Sequence, residues 1–265
     1  MFTVVRACLR DGAGGSPTAV LDESPMADEE RRSVPGRAGA SHAAFVAPDG
    51  AVRFFTSEGE LPACGHGTVA VLAVLTERTG RSEHLLRVSG RTFRGRAMPI
   101  GGGLFDAAFD PGAVTTRSPD DSEISAILAA VGAGDRAGAR VATLGRPRML
   151  LPIADRDELA DLRPDLDRLR AATDRCGFLG CYVYTVPDAD GRAAARMFAP
   201  SIGVPEDIAN ANSTACLAAH LGADLRVDMG DSLGSPATVT ASAQPGGSVV
   251  VGGSVLVGGI AAVTS

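Results

Sequence analysis

The sequence predicts an α+β protein built from two similar halves, and three observations carry that prediction. Arg53, Phe55 and Pro62 recur as Arg196, Phe198 and Pro205, at one offset of about 143 residues. Each copy then passes through small polar residues, Cys64–Thr68 in one and Asp207–Thr214 in the other, into an Ala-rich helical stretch. Each half also carries two apolar runs around an acidic glycine turn, Pro48–Gly50 and Asp188–Gly191. A repeat this long is not a solenoid unit. It reads as a duplicated domain whose two helix N-termini face one cleft.

Taken in order, Phe2–Cys8 and Thr18–Leu21 read as strands flanking the loop Asp11–Pro17. Ala27–Ser33 has helical composition, which Pro35 and Gly36 are expected to end early. Ala43–Val46 and Ala51–Phe55 form a hairpin. The apolar run Val69–Leu75 after the Cys-Gly-His-Gly turn is long enough for about two turns of buried helix. Leu85–Val88, Arg91–Ala97 and Gly103–Phe109 read as further strands, and the polar, Pro-containing stretch Pro111–Asp121 as a domain boundary. Ser122–Val131 is a helix capped by Ser or Asp, Arg148–Ile153 a strand, and Asp155–Thr173 one or two surface helices. Gly180–Thr185 and Ala193–Phe198 form the second hairpin. Ala215–Leu221 is the second central helix, and Ala237–Ser242, Ser248–Val251 and Ser254–Val263 are closing strands. The halves are therefore 1–112 and 113–253, with the last strand, about 254–265, packing back onto the first half.

Composition narrows the function. Net charge is −6, no basic block occurs, and all 25 basic residues are Arg. Nucleic acid and anionic membrane are excluded as expected partners. No apolar run is long enough to span a bilayer, and Met1–Cys8 lacks the apolar core of a signal peptide. Five cysteines at scattered spacing, without a CxxC pair, point to reduced thiols in a cytoplasmic protein, with no metal site indicated. Cys8, Cys176 and Cys181 read as core. Gly12–Gly15 opens no helix of the kind a dinucleotide site needs.

The chemistry concentrates at the two turns. A helix starting near Cys64 and His66 aims free N–H groups and its positive dipole end at whatever lies beside them. Such a place holds a carboxylate and lowers a thiol pKa. Asp207 is a second proton-transfer group or a helix N-cap. Asn210, Asn212, Ser213 and Thr214 are hydrogen-bonding partners for a substrate carboxylate or capping residues, and Ser16 and Thr68 have the same standing. Glu60 and Glu206 read as ion-pair partners of Arg53 and Arg196.

Several segments together resemble the PhzF phenazine-biosynthesis family, in the wider group that includes diaminopimelate epimerase and proline racemase. Gly15–Val20 is similar to that family's G-N-P-x-A-V, and Ser41–Val46 to its S-E-T-A-F-V. Phe55–Thr68 is similar to F-T-P-x-x-E-x-P-F-C-G-H-A-T, and Ala195–Pro200 with Gly203 and Glu206–Asp207 to A-R-M-F-A-P…G…E-D-P. Met229 to Pro236 resembles M-G-R-P-S with an insertion.

The resemblance implies two pseudo-symmetric domains, each a mixed, mostly antiparallel sheet wrapped around a central helix, with the site in the cleft between them. It implies proton transfer next to a carboxylate or enol without a cofactor, on a small-molecule carboxylate, in a homodimer. In that family a glutamate moves a proton in an allylic isomerisation, assisted by the histidine of G-H and the aspartate of E-D-P. Those positions are His42, His66 and Asp207 here. His42 thus stands where the family has glutamate, Asn210–Thr214 stands where T-G-S-A is usual, and Pro35 interrupts a continuous helix.

The expected site is then His42, Cys64, His66 and Asp207 for the chemistry. Ser16, Gly65, Gly67, Thr68, Asn210, Asn212, Ser213 and Thr214 are expected to bind the substrate. The expected activity is a double-bond-shifting isomerase of secondary metabolism. The alternatives are a racemase or epimerase using Cys64, and a non-catalytic small-molecule binding protein.

Overall fold

The structure is a computed structural model that describes residues 2–243 and 255–264. Its first half runs β1 (Thr3–Leu9), β2 (Ser16–Asp22), α1 (Asp28–Arg37), β3 (His42–Val46), β4 (Val52–Phe55), β5 (Glu60–Leu61) and α2 (Gly65–Thr79), then β6 (Glu83–Val88), β7 (Arg91–Gly101) and β8 (Leu104–Phe109). There follow β9 (Thr115–Arg117), α3 (Asp121–Val131), β10 (Arg140–Leu144), β11 (Arg146–Ile153), α4 (Arg156–Asp161) and α5 (Leu166–Cys176). The chain finishes with β12 (Cys181–Thr185), β13 (Arg192–Ala199), β14 (Val204–Asp207), α6 (Ala211–Leu221), β15 (Leu225–Met229), β16 (Ala237–Ala243) and β17 (Val255–Thr264).

Around α2 the strands follow the order β5-β4-β3-β2-β1-β17-β8-β7-β6, antiparallel except for the β2–β3 pair. A parallel bridge from Ala51 to Arg87 brings the two ends of this array together. The helix packs on β1, β2, β3, β7, β8 and β17, so Val69–Val74 are buried on every side. That is why this stretch shows no polar face in sequence. Around α6 lie β9, β10, β11, β15, β16 and β17, with parallel pairs β11–β12 and β13–β15. β17 belongs to both arrays, pairing with β1, β8 and β16.

The outer sheet faces are covered unequally. In the first half, α1 lays Val34 over Ala19, Ala43, Phe45 and Phe55. In the second, α3 and α5 bury Ile124, Ile127 and Leu169 against Met149, Leu151, Val183 and Phe198. With both faces covered, β3 and β12 are buried at every position, hence their largely apolar spelling.

Several expectations change. α1 does not stop before Pro35 but carries it in its last turn, where the missing N–H forfeits one bond. The amides of Ala38 and Ala40 close the end on the Val34 and Pro35 carbonyls. The Cys-Gly-His-Gly segment is not a turn ahead of the helix: Cys64 is the N-cap, and Gly65, His66 and Gly67 are its first turn. α6 starts four residues before Ala215, at Ala211, so Asn212, Ser213 and Thr214 are helical. Cys8 and Cys181 are buried, whereas Cys176 is only partly covered at the end of α5. α3 carries the expected cap as a full capping box between Asp120 and Glu123. The expected strand Ser248–Val251 lies outside the described residues.

Candidate active site

Three chain segments converge where the two central helices meet tip to tip. β3 begins with His42, α2 brings Cys64 and His66, and β14 ends on Asp207 just before α6. The contact between helix tips depends on Gly65. A Cβ there would lie 2.7 Å from Ala211 Cβ and 2.9 Å from the Asn212 amide nitrogen. No side chain caps α2, whereas Asn210 caps α6 by accepting from the Ser213 N–H at 2.9 Å. The first N–H groups of α2 therefore stay free for an anion.

His66 is buried and held from two sides. Its Nδ1–H donates to the Ala209 carbonyl at 2.7 Å, which sets the tautomer. Its Nε2 faces Cys64 Sγ at 3.5 Å, and Asp207 Oδ2 lies 3.9 Å from Nδ1. Burial opposes the charged imidazole, but Cys64, Asp207 and the bond to Ala209 push its pKa up to about 10. His42 packs edge-to-face on His66 with ring centroids 4.4 Å apart, and its Nδ1 meets Ser41 Oγ at 2.7 Å. His42 is 2% exposed; burial and the neighbouring His66 hold its pKa well below the ordinary histidine value.

Asp207 completes the group at 5% exposure. Asn210 Nδ2 donates to its Oδ2 at 2.9 Å, while Oδ1 is buried without a partner. Burial raises its pKa, against the opposing pull of His66 and Asn210. The site thus pairs a cationic imidazole with a carboxyl of raised proton affinity, beside a neutral imidazole. Such groups pass protons to and from carbon near neutral pH. His42, Cys64 and His66 also offer donor atoms all within 4.8 Å of one another, a set that suits a zinc-like ion by chemistry.

The cleft over these groups holds about 510 Å3 of empty space, its solvent-filled mouth included. His42, Cys64, Gly65, His66, Asp207, Asn210 and Asn212 of the expected residues line it. The others do not. Ser16 Oγ is buried without a partner, and Gly67 packs where a Cβ would strike Cys64 Sγ and Phe54 at 2.9 Å. Thr68 bonds the Cys64 carbonyl and lines an adjoining cavity. Ser213 meets Arg148, and Thr214 meets the Tyr182 hydroxyl at 2.8 Å. Arg146 and Arg148 line the cleft without having been singled out in sequence. The available signal was an arginine heading the otherwise apolar run Met149–Ile153.

Glu60 and Glu206 pair with Arg53 and Arg196 as expected, with Nε–Oε1 distances of 3.0 and 2.9 Å. Both arginines stack on the phenylalanine two residues on, 4.9 Å from the ring centroid. These pairs brace the strands that lead into the two turns.

Residues 7–263 match the family model described as "phenazine biosynthesis-like protein". The chain is similar to an uncharacterized isomerase of Deinococcus radiodurans, 30% identical over 90% of this chain and 85% of that protein. It is similar to the trans-2,3-dihydro-3-hydroxyanthranilate isomerase of Pseudomonas fluorescens, 27% identical over 87% of this chain and 85% of that protein. Among solved structures it resembles a predicted epimerase from Pseudomonas aeruginosa, with a TM-score of 0.82 and 25% identity over 100% of this chain and 96% of that one.

Proposed function

The chain belongs to the phenazine biosynthesis-like family and is an isomerase, and we propose that it moves a proton between carbons of a small amino- or hydroxy-acid, shifting a double bond. The observation that carries this is Asp207: a buried carboxyl of raised proton affinity, with one oxygen unpartnered, set against a cationic His66. The bare tip of α2, the tip of α6 and His66 hold the substrate carboxylate and the negative charge that develops as the proton leaves. Asp207, ionised beside His66, removes the proton from one carbon, and the electron pair moves through the conjugated system. A proton that has exchanged with solvent on Asp207 or His42 is then delivered to the far carbon. A histidine of low proton affinity gives up a proton readily, which suits His42 to the delivering step. One proton leaves and one arrives, so the enzyme ends unchanged, and this reading needs no metal or organic cofactor.

A second reading has its own observation. Cys64 and Asp207 are related by the same sequence offset as the repeated Arg, Phe and Pro, and Cys64 Sγ faces His66 Nε2 at 3.5 Å. A thiolate there, opposite Asp207, would make the enzyme an epimerase that exchanges a proton at one carbon from two faces. We assign the chain to secondary metabolism in the cytoplasm, as a homodimer. We also propose that the halves divide near residue 112, a reading supported by the pairing of β8 with β7 and of β9 with β10.

The test is deuterium incorporation from D2O into unsaturated and saturated cyclic amino and hydroxy acids, read by NMR. Incorporation with a migrated double bond, lost in Asp207→Ala or His42→Ala and kept in Cys64→Ala, is the expected result. Incorporation at a stereocentre that requires Cys64, with no migration, would sink the isomerisation and establish the epimerase.

A further inference from the structure

The cleft carries more positive charge than its acids balance. Arg148 is 1% exposed, and a guanidinium does not shed its proton when buried. All its hydrogen bonds go to neutral acceptors: Ser213 Oγ at 3.2 Å, the Leu144 carbonyl at 2.7 Å and the Arg146 carbonyl at 2.8 Å. Its Nε is buried without any acceptor. Arg146, half-buried at the same cleft, bonds only the Phe178 carbonyl. Among the described residues neither arginine has a carboxylate partner, whereas Asp207 and His66 offset one another and His42 is neutral. A buried cation left unpaired is costly unless an anion arrives to meet it.

The proposed chemistry already places one substrate carboxylate at the helix tips and His66. We infer that the substrate is a dicarboxylate, and that Arg148, with Arg146 beside it, binds the second carboxylate. This rests on the proton-transfer reading for the place of the first. A hydrogen-bonded chain ties the two places together: Arg148 to Ser213, Ser213 N–H to Asn210, and Asn210 to Asp207. A carboxylate on Arg148 therefore fixes the substrate relative to the group that takes its proton. The three neutral bonds would hold a strut equally well without a charge; the spare N–H groups and the unpaired charge are what a carboxylate answers.

Calorimetric binding of benzoate, phthalate, isophthalate and terephthalate to the native protein and to Arg148→Gln tests this. At least one dicarboxylate should bind the native protein about tenfold or more tightly than benzoate, and in Arg148→Gln that margin should shrink to within about threefold. Native protein that binds no dicarboxylate better than benzoate, or none of the four at millimolar concentration, overturns the inference, as does a margin that survives Arg148→Gln. If circular dichroism shows Arg148→Gln unfolded, Arg148→Lys decides, since it keeps the charge and loses the planar fork: the margin must fall there too. The readout is binding, so it separates from turnover. Dicarboxylate preference without deuterium exchange would count against the proton-transfer reading alone; exchange without preference would count against Arg148 alone.

Discussion

The two helix tips that form the site come from equivalent places in the two halves, yet they are built differently. Behind each tip the bracing is the same: an arginine over a phenylalanine ring at 4.9 Å, paired with a glutamate. At the tips the halves part company. α2 begins without a side-chain cap and supplies free N–H groups and an imidazole. α6 is capped by Asn210, and the strand before it supplies a carboxyl. The duplicated part holds strand against turn; the divergent part carries the charge. One half offers what an anion needs, and the other what a proton needs.

The comparison breaks first at Asp207. Asp207→Asn keeps the hydrogen bond from Asn210 in shape and removes the proton acceptor. Turnover should fall by about 10²–10⁴-fold, measured as initial rate or deuterium exchange, with the circular dichroism spectrum unchanged. A fall of less than about tenfold would move the chemistry to the α2 side.

The next contrast lies in the bracing. The Arg196–Glu206 side chains are 10% and 11% exposed, against 35% and 39% for Arg53–Glu60. Glu206→Gln should therefore cost about 3 kcal/mol of unfolding free energy, because Arg196 stays buried and loses its charge partner. Glu60→Gln, screened by solvent, should cost less than about 1 kcal/mol. Equal losses in denaturant titrations would mean that the two braces do not differ as their burial says.

Gly65→Ala drives a methyl group into the first turn of α6 and should cost about 1–3 kcal/mol, with weaker binding of any carboxylate probe. A variant with native stability and native binding would show that the tips are not in contact.

The last contrast is one of pH. His66 has a folded pKa raised to about 10, so its stabilisation is full below the ordinary histidine value and is lost as pH rises through about 10. His42 works the other way. Its folded pKa is depressed, so its contribution is present above the ordinary value near 6.5 and is lost as pH falls below it. Melting curves from pH 4 to 11 should show both slopes, the alkaline one absent in His66→Asn and the acid one reduced in His42→Gln.

What could be read in sequence followed from strong local signals. The apolar run of α2, the two acidic glycine turns and the repeated Arg, Phe and Pro each have one structural meaning, and each stands as expected. Strands β5, β9, β10, β14 and β15 went unseen for different reasons. β5 and β9 are very short, β10 is headed by an arginine, and β14 holds Pro205 and two acids, a poor strand composition that tertiary pairing overrides. The convergence of His66, Cys64 and Asp207 on one cleft was legible because the turns that carry them are distinctive. The burial of His42 was not, since it depends on β3 pairing parallel to β2, with His42 opposite Thr18. Arg148 was read only as part of a strand. Its neighbours Leu144 and Ser213 come from another strand and from α6, which no local pattern relates.

The place of β17 has a consequence for how the molecule comes into being. It lies between β1 and β8 and pairs with both, the former at the start of the chain. Until residues beyond 255 have been synthesised, the first half carries two unpaired strand edges where its array should be continuous. α2 can form early, but its enclosure waits for a segment more than a hundred residues downstream of β8. Folding that depends on such distant pairing is slow and leaves exposed edges open to neighbouring chains in the meantime. Growth temperature and chaperone supply should therefore govern the yield of native protein more strongly than its final stability does.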